Sequence, residues 1–126
     1  GNQVRNMAGR KKDPLHKSFS YAFEGIFTCI RNERNMKIHC LAVILVIILG
    51  FVYQISMIEW YICFILFGVV ISAELFNTAI ETVVNMVMPY KNEKAGLAKD
   101  IAAGAVLVLA IVAAIIGGFI FIPKIF

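Results

Sequence analysis

The chain has 126 residues, 60% of them hydrophobic, and a formal net charge of +4. Typical soluble proteins are only about 45–50% apolar, and one domain of this length could not bury so much apolar surface in its own core. The composition therefore excludes an ordinary soluble domain and predicts that lipid surrounds much of the chain. The three cysteines, Cys29, Cys40 and Cys63, form no CxxC pattern and are interpreted as small buried hydrophobes.

The amino-terminal part of the chain is polar and changes character at Pro14. Residues 1–13 are basic and without hydrophobic periodicity, which predicts a disordered tail with Met7 as a candidate native start. Residues 14–34 predict an amphipathic helix, because apolar side chains recur every three or four positions at Phe19, Phe23, Phe27 and Ile30. In a membrane protein we expect this helix to lie on the membrane surface with its aromatic face toward the lipid.

Three hydrophobic segments follow, and they predict an all-α integral membrane protein with three transmembrane helices. The first, residues 36–53, is short but can cross a hydrocarbon core of about 30 Å if Lys37 extends to the headgroups. The second, residues 58–88, is longer than a span requires, so we expect its second half to emerge on the far side. After a polar linker at 90–98, the third segment, residues 99–122, is the most apolar.

The cations are distributed unevenly about these segments. Of the twelve Lys and Arg residues, Lys124 follows the third segment, whereas the others lie before residue 38 or between residues 91 and 99. The positive-inside rule therefore places the amino terminus and the linker at 90–98 in the cytoplasm. The polar end of the second segment is then predicted near the cytoplasmic surface, where nucleotides are available.

Polar side chains form one stripe along the second half of the second segment. Glu74, Asn77, Glu81 and Asn85 are spaced by three, four and four positions, so at about 100° per residue they share one face of a helix. A charged side chain near mid-bilayer costs roughly 2.5–3.5 kcal/mol on insertion scales. We therefore expect two carboxylates on one face to contact protein or water rather than lipid.

The residues alone leave three interpretations of this stripe. It could be structural, as hydrogen bonding between helices or as the end of a helix in the headgroup region; it could be an ion or proton path; or its carboxylates could hold a divalent cation. Oxygen ligands at helical spacing suit a hard cation such as Mg²⁺. Glu33, Lys99 and Asp100 are predicted at the same cytoplasmic level. A conductor or a non-catalytic interaction subunit does not need them, whereas phosphoryl transfer needs carboxylates for Mg²⁺, a cation for the phosphates and a base. The sequence contains no GxxxxGK[ST] pattern, so any nucleotide site is not a P-loop.

Two stretches of the chain resemble the prokaryotic diacylglycerol kinase family. They read AELFNTAIE at 73–81 and AKDIAAGAV at 98–106, and the resemblance covers nearly the whole chain from about Pro14. It implies a surface helix plus three transmembrane helices, assembled as a homotrimer with composite active sites, that phosphorylates a lipid alcohol with MgATP. The stretches ERNMKIH at 33–39 and FIPKI at 121–125 are similar to the Gram-positive branch, whose members act mainly as undecaprenol kinases.

The family resemblance also implies individual roles. Glu74 matches the general base, and Glu33 and Glu81 match the carboxylates that hold the metal on ATP. The implied ATP contacts are Tyr21, Glu33, Glu81, Lys99 and Asp100, with Asn77, Lys17 and Asn92 as supporting polar residues. Asn85 departs from the family pattern, in which many members have aspartate, and the loop at 90–92 also matches poorly.

Together these inferences predict direct in-line phosphorylation of undecaprenol at the cytoplasmic face of a bacterial cell membrane, with Glu74 as the base and Mg²⁺ bound with ATP. Diacylglycerol is the alternative substrate, and a small oligomeric ion or proton conductor is the alternative of another class. The expected partners are ATP, the lipid alcohol, the membrane and further copies of the chain in a homotrimer, with no nucleic acid.

Overall fold

A computed structural model describes residues 14–126 of the protein, and these residues fold into four helices joined by short connections. The helices are α1 (Leu15–Asn32), α2 (Arg34–Val52), α3 (Met57–Val87) and α4 (Glu93–Ile125). Helices α2, α3 and α4 are each long and apolar enough to cross a membrane. The prediction of an all-α membrane protein with three spans is confirmed, whereas the predicted basic tail at 1–13 lies outside the described residues.

Helix α1 begins directly after Pro14, whose φ of −59° suits the start of a helix. The aromatic side chains Phe19, Phe23 and Phe27 lie four residues apart and are exposed, while Cys29 is buried against the rest of the protein. An exposed aromatic face is what a membrane-surface helix requires. Its placement on the membrane surface stays a prediction.

A single residue, Glu33, separates α1 from α2. Its backbone is extended, with φ −106° and ψ 119°, so the chain bends at this residue. The Glu33 N–H still donates to the Cys29 carbonyl at 2.9 Å, and the Glu33 carbonyl accepts from the Lys37 N–H at 3.2 Å. The surface helix ends at Asn32, two residues before the predicted end at Arg34, and Glu33, a predicted metal ligand, lies at the junction of the two helices.

The turn between α2 and α3 is held by side-chain hydrogen bonds. The Ser56 hydroxyl accepts from the Glu59 N–H at 3.2 Å, and the Glu59 carboxylate accepts from the Ser56 N–H at 2.9 Å, which forms a capping box. Glu59 also accepts a hydrogen bond of 2.8 Å from the Lys124 ammonium near the end of α4. These contacts tie the start of α3 to the end of α4.

The packed core lies at this same end of the helix bundle, which we call the packed end. Its buried members are Ile55, Cys63, Ile120 and Phe121, and half-buried side chains from all three long helices pack around them. Because α2, α3 and α4 follow one another with short connections and pack as neighbours, the opposite end holds Glu33, Glu81 and Lys99. The protein is therefore tightly packed at one end and polar at the other.

Helix α4 is longer than the predicted segment at both ends. It begins at Glu93 rather than near Lys99, because the Asn92 side-chain oxygen accepts a hydrogen bond of 3.0 Å from the Ala95 N–H and caps the helix early. The predicted linker at 90–98 is thus mostly helical. At its other end α4 continues through Pro123 to Ile125, where the missing proline N–H affects only the last turn.

Candidate active site

Two polar side chains are buried on α3, in the middle of an apolar helix. Glu74 is 2% exposed and Asn77 is 4% exposed, and they are the buried polar residues among those described. The Asn77 amide donates to the Glu81 carboxylate at 3.1 Å. Glu74 and Asn77 of the predicted polar stripe therefore face protein, which agrees with the high free energy of exposing such groups to lipid. Asn85, at the end of the stripe, is exposed.

The buried acceptors of this pair lack hydrogen-bond partners within the described residues. Glu74 Oε2 and Asn77 Oδ1 are both inaccessible and unsatisfied. His39 on α2 brings Nε2 to 3.5 Å from Glu74 Oε2, which is ion-pair distance without hydrogen-bond geometry. A buried polar group left without a partner costs about 1–3 kcal/mol, so two adjacent orphan oxygens indicate a place for a donor or a cation that binds from outside.

Glu74 and Asn77 line a cavity of about 340 Å³, which we call the carboxylate cavity. Its polar lining comes from α2 and α3, and its other wall is an apolar face of α4. The lining residues are Asn35, His39, Glu74, Asn77, Ala103, Val106, Leu107 and Ala110. Small and apolar side chains on α4 thus leave room beside the orphan oxygens without offering them a hydrogen bond.

A second cavity of about 360 Å³, the apolar cavity, lies farther along the same three helices toward the packed end. Its lining is almost entirely apolar and includes Cys63, Phe67, Ala113 and Phe121. His39 and Ala110 line both the apolar cavity and the carboxylate cavity. An apolar space therefore adjoins the buried carboxylate, with His39 at the border.

A third cavity of about 310 Å³ lies between α1 and α3, and we call it the surface-helix cavity. Glu24 and Glu33 line it together with Thr78 and Thr82. The Cys29 thiol donates to the Thr78 hydroxyl at 3.4 Å and links α1 to α3 beside it. Burial raises the pKa of this thiol, so it stays protonated at neutral pH and can act as the donor.

The remaining predicted site residues lie on α1 and α4. Tyr21 is half-buried and Lys17 exposed on α1, whereas Lys99 is half-buried and Asp100 exposed on α4. Lys99 lies one helical turn before Ala103, which lines the carboxylate cavity. The Asn92 side-chain oxygen is occupied as the cap of α4, so its predicted supporting role competes with a structural one.

Sequence reasoning missed His39 and Asn35, both of which line the carboxylate cavity. The available signal was the position of His39 within a transmembrane segment, where an ionisable residue marks a functional candidate. Sequence reasoning also missed Glu24, which lines the surface-helix cavity together with Glu33.

The fold and the site define a class of protein. Three apolar helices enclose a buried carboxylate that adjoins an apolar cavity, which is the arrangement of a membrane enzyme that acts on an amphiphilic molecule. Residues 20–121 match the family model described as prokaryotic diacylglycerol kinase. The chain belongs to the prokaryotic diacylglycerol kinase family, and it is a membrane lipid kinase.

Three curated proteins show the range of the similarity. The chain is 47% identical over 108 residues to the undecaprenol kinase of Bacillus subtilis (strain 168), covering 86% of this chain and 88% of that protein. It is 36% identical to a diacylglycerol kinase of Synechocystis sp. (strain ATCC 27184 / PCC 6803 / Kazusa), covering 95% and 69%. It is 31% identical to a diacylglycerol kinase of Haemophilus influenzae (strain ATCC 51907 / DSM 11121 / KW20 / Rd), covering 85% and 92%.

Proposed function

We propose that the protein transfers the γ-phosphoryl group of ATP directly to the terminal hydroxyl of undecaprenol, with Glu74 as the general base. The observation that carries this proposal is Glu74, which lines a cavity and whose buried Oε2 has no hydrogen-bond partner among the described residues. The similarity to an undecaprenol kinase supports the substrate. Diacylglycerol is the alternative, because two of the similar proteins are diacylglycerol kinases.

The chemistry follows from the position of the carboxylate. The lipid hydroxyl donates its proton to Glu74 Oε2 as its oxygen forms a bond to the γ-phosphorus, while the bond between that phosphorus and the oxygen of ADP breaks. The proton ends on Glu74, and the products are the phosphorylated lipid and ADP. The orphan Asn77 Oδ1 beside it can accept from the same hydroxyl or orient it.

An amphiphilic substrate accounts for the two adjoining cavities. The hydroxyl end occupies the carboxylate cavity, and the first isoprene units occupy the apolar cavity, whose lining offers almost no polar atoms. Each buried CH₂ contributes about 0.8 kcal/mol, so this cavity favours a hydrocarbon over water. An ion conductor, the rival hypothesis, would need a polar path to the opposite side of the membrane. Within one copy, the apolar side chains at the packed end block such a path; they are Ile55, Cys63, Ile120 and Phe121.

The nucleotide is proposed to bind at the polar end, with Glu33 and Glu81 holding Mg²⁺ on its phosphates. Within residues 14–126, no group of three or more His, Cys, Asp or Glu side chains converges on one point. This fits Mg²⁺ that arrives with ATP, because Mg²⁺ is commonly held by one or two carboxylates plus substrate phosphates. When bound, the ion would neutralise charge on the phosphates. Lys99 would contact the phosphates, and the remaining proposed nucleotide contacts are Tyr21, Asp100, Lys17 and Asn92.

The proposed setting is the cytoplasmic face of a bacterial cell membrane. Cations concentrate on α1, at the start of α2 and around the start of α4, whereas the packed end carries Lys124 paired with Glu59. By the positive-inside rule the polar end then faces the cytoplasm, which supplies ATP. The proposed assembly is a homotrimer, in which exposed groups such as Asp100 can complete the site of a neighbouring copy.

The test is the Glu74→Gln variant, which keeps the size of the side chain and removes its basicity. We expect turnover to fall about 10²–10⁴-fold because proton removal is lost, while ATP binding persists. Transfer of labelled phosphate from ATP to undecaprenol and to diacylglycerol would be measured in detergent micelles. Glu59→Gln at the packed end is the matched control and should keep normal turnover.

Near-normal turnover of Glu74→Gln would remove Glu74 from the mechanism. Equal or higher rates on diacylglycerol in the same preparation would replace undecaprenol by the alternative substrate. Failure of the wild-type protein to phosphorylate either lipid would contradict the proposed reaction as a whole.

A further inference from the structure

His39 is an ionisable side chain in the first third of the transmembrane helix α2, toward the polar end of the bundle. It lies on α2, and its side chain is only 18% exposed. Its Nε2 atom lies 3.5 Å from Glu74 Oε2 on α3, although the two residues are 35 positions apart in the chain. Imidazole seldom lies among apolar helices without a function, because a polar side chain there must be solvated by protein.

The residues around His39 leave Glu74 as its ionisable neighbour in the carboxylate cavity. In the carboxylate cavity, α2 contributes Asn35 and His39, α3 contributes Glu74 and Asn77, and α4 contributes only apolar side chains. The Asn77 amide already donates to Glu81. Among the residues that line this cavity, His39 is therefore the titratable group opposite the buried carboxylate.

The same side chain stands at the border of the apolar cavity. His39 and Ala110 are the residues shared by the two linings. A lipid that spans both cavities would therefore have its hydroxyl end close to the imidazole. The imidazole thus brings Nε2 near the carboxylate while the same residue also lines the apolar cavity.

We propose that His39 is the positioning residue for Glu74 in the lipid kinase reaction. Its Nε2–H donates to Glu74 Oε2 and holds the carboxylate in the orientation that accepts the proton of the lipid hydroxyl; the inference rests on the function proposed above. The separation of 3.5 Å is long for a hydrogen bond, and such bonds commonly tighten only when the substrate is bound. His39 itself makes and breaks no covalent bond in the reaction.

The first experiment compares His39→Leu with His39→Gln. Leucine fills the space without a donor, so the carboxylate loses its orientation and kcat should fall on the order of 10²-fold, with KM for ATP unchanged. Glutamine can present an amide N–H to the carboxylate, so His39→Gln should recover a large part of kcat. His16→Leu, at an exposed position on α1, is the matched control and should behave as wild type.

A double-mutant cycle separates positioning from a merely structural effect. If His39 acts through Glu74, His39→Leu should cause no further loss in a Glu74→Gln background, because the group that it orients is no longer a base. Residual phosphate transfer would be followed in single-turnover assays. Thermal unfolding in detergent would establish that each variant remains folded.

Three results would overturn the inference. They are a normal kcat in His39→Leu, equal losses in His39→Leu and His39→Gln, and losses from His39→Leu and Glu74→Gln that add independently. Each leaves the proposed function intact as long as Glu74→Gln alone is inactive. Full activity of Glu74→Gln would instead contradict the proposed function itself.

Discussion

At the scale of single residues, the destabilising polar groups of the described chain lie at two buried positions. Glu74 and Asn77 are buried with unsatisfied oxygens, which lowers stability by about 1–3 kcal/mol for each group. Such a cost persists where a substrate or cation supplies the missing partner. At the packed end, close packing stabilises the protein instead. Gly50 has no side chain, so Trp60 packs directly against the backbone of α2.

Gly50→Ala should destabilise the protein. A Cβ at Gly50 would lie 2.5 Å from Trp60 Cη2, and Trp60 is held in place by ring contacts with Phe51 and Phe64. Because the indole cannot move away freely, we expect a loss of about 1–3 kcal/mol from overpacking, measured as a lower midpoint of thermal unfolding in detergent.

Gly68→Ala on α3 is the matched control for this change. Apart from its two chain neighbours and the backbone of its own helix, no atom of residues 14–126 lies within 4 Å of a Cβ at Gly68, and alanine is favoured over glycine within a helix by roughly 0.5–1 kcal/mol. Its unfolding midpoint should therefore equal or exceed that of wild type. A midpoint for Gly50→Ala as high as that of Gly68→Ala would contradict the packing account.

At the scale of helices, each element has a separate task. The bend at Glu33 turns the chain from α1 into α2 within one residue and brings the Glu33 side chain to the surface-helix cavity. Helix α3 contributes the buried carboxylate, and α4 faces it with small side chains that leave space. The cap at Asn92 begins α4 early, which places Lys99 within a formed helix, one turn from the carboxylate cavity.

A larger side chain in the apolar cavity should raise KM for the lipid substrate and leave KM for ATP unchanged. Ala113 on α4 lines this cavity, so Ala113→Phe would displace at least two methylene groups of a bound tail. At about 0.8 kcal/mol for each, KM for undecaprenol should rise roughly tenfold, while KM for ATP stays constant in initial-rate measurements.

Ile115→Phe provides the comparison on the same helix. Ile115 is exposed and is not part of the lining of the apolar cavity, so this change should leave both KM values near those of wild type. An unchanged KM for undecaprenol in Ala113→Phe would show that the tail lies elsewhere.

At the scale of the whole molecule, the two ends of the bundle differ in character. The packed end combines a core with the Glu59–Lys124 pair, and the polar end carries the surface-helix cavity, the proposed metal ligands Glu33 and Glu81 and most of the cations. This asymmetry suits an enzyme that receives a lipid from the bilayer and a nucleotide from one side of it. Asp100 is exposed and lies outside the lining of the carboxylate cavity, so it is the proposed site residue with which to test whether sites are shared between copies.

Mixed oligomers test whether the sites are shared between copies. Glu74→Gln and Asp100→Asn should each be inactive alone. If one site takes Glu74 from one copy and Asp100 from its neighbour, random mixing of equal amounts should restore about a quarter of wild-type activity. Activity would be measured after both chains are produced together and purified as one assembly, whose mass should equal three copies.

Mixed assemblies that stay as inactive as either parent would show that each site lies within one copy. A mass of one or two copies would contradict the homotrimer. Assemblies that contain Glu74→Gln chains alone provide the baseline for both comparisons.

The amino-acid sequence by itself determined the class of fold, the three spans and the polar stripe. These features depend on local quantities, because a run of about 20 apolar residues is long enough to span a bilayer and the spacing of Glu74, Asn77 and Glu81 places them on one helical face. The burial of Glu74 and Asn77 followed from the same argument. Family membership was also readable from the motifs at 73–81 and 98–106.

Only the tertiary structure decided which side chains meet across the helices. His39 faces Glu74 and Cys29 faces Thr78, and an apolar cavity adjoins the carboxylate through His39 and Ala110. Contacts of this kind depend on how each helix is rotated and tilted against its neighbours, which the period of one helix does not encode. For this reason the sequence identified the buried carboxylate Glu74, whereas the imidazole beside it became visible only after α2 and α3 were packed together.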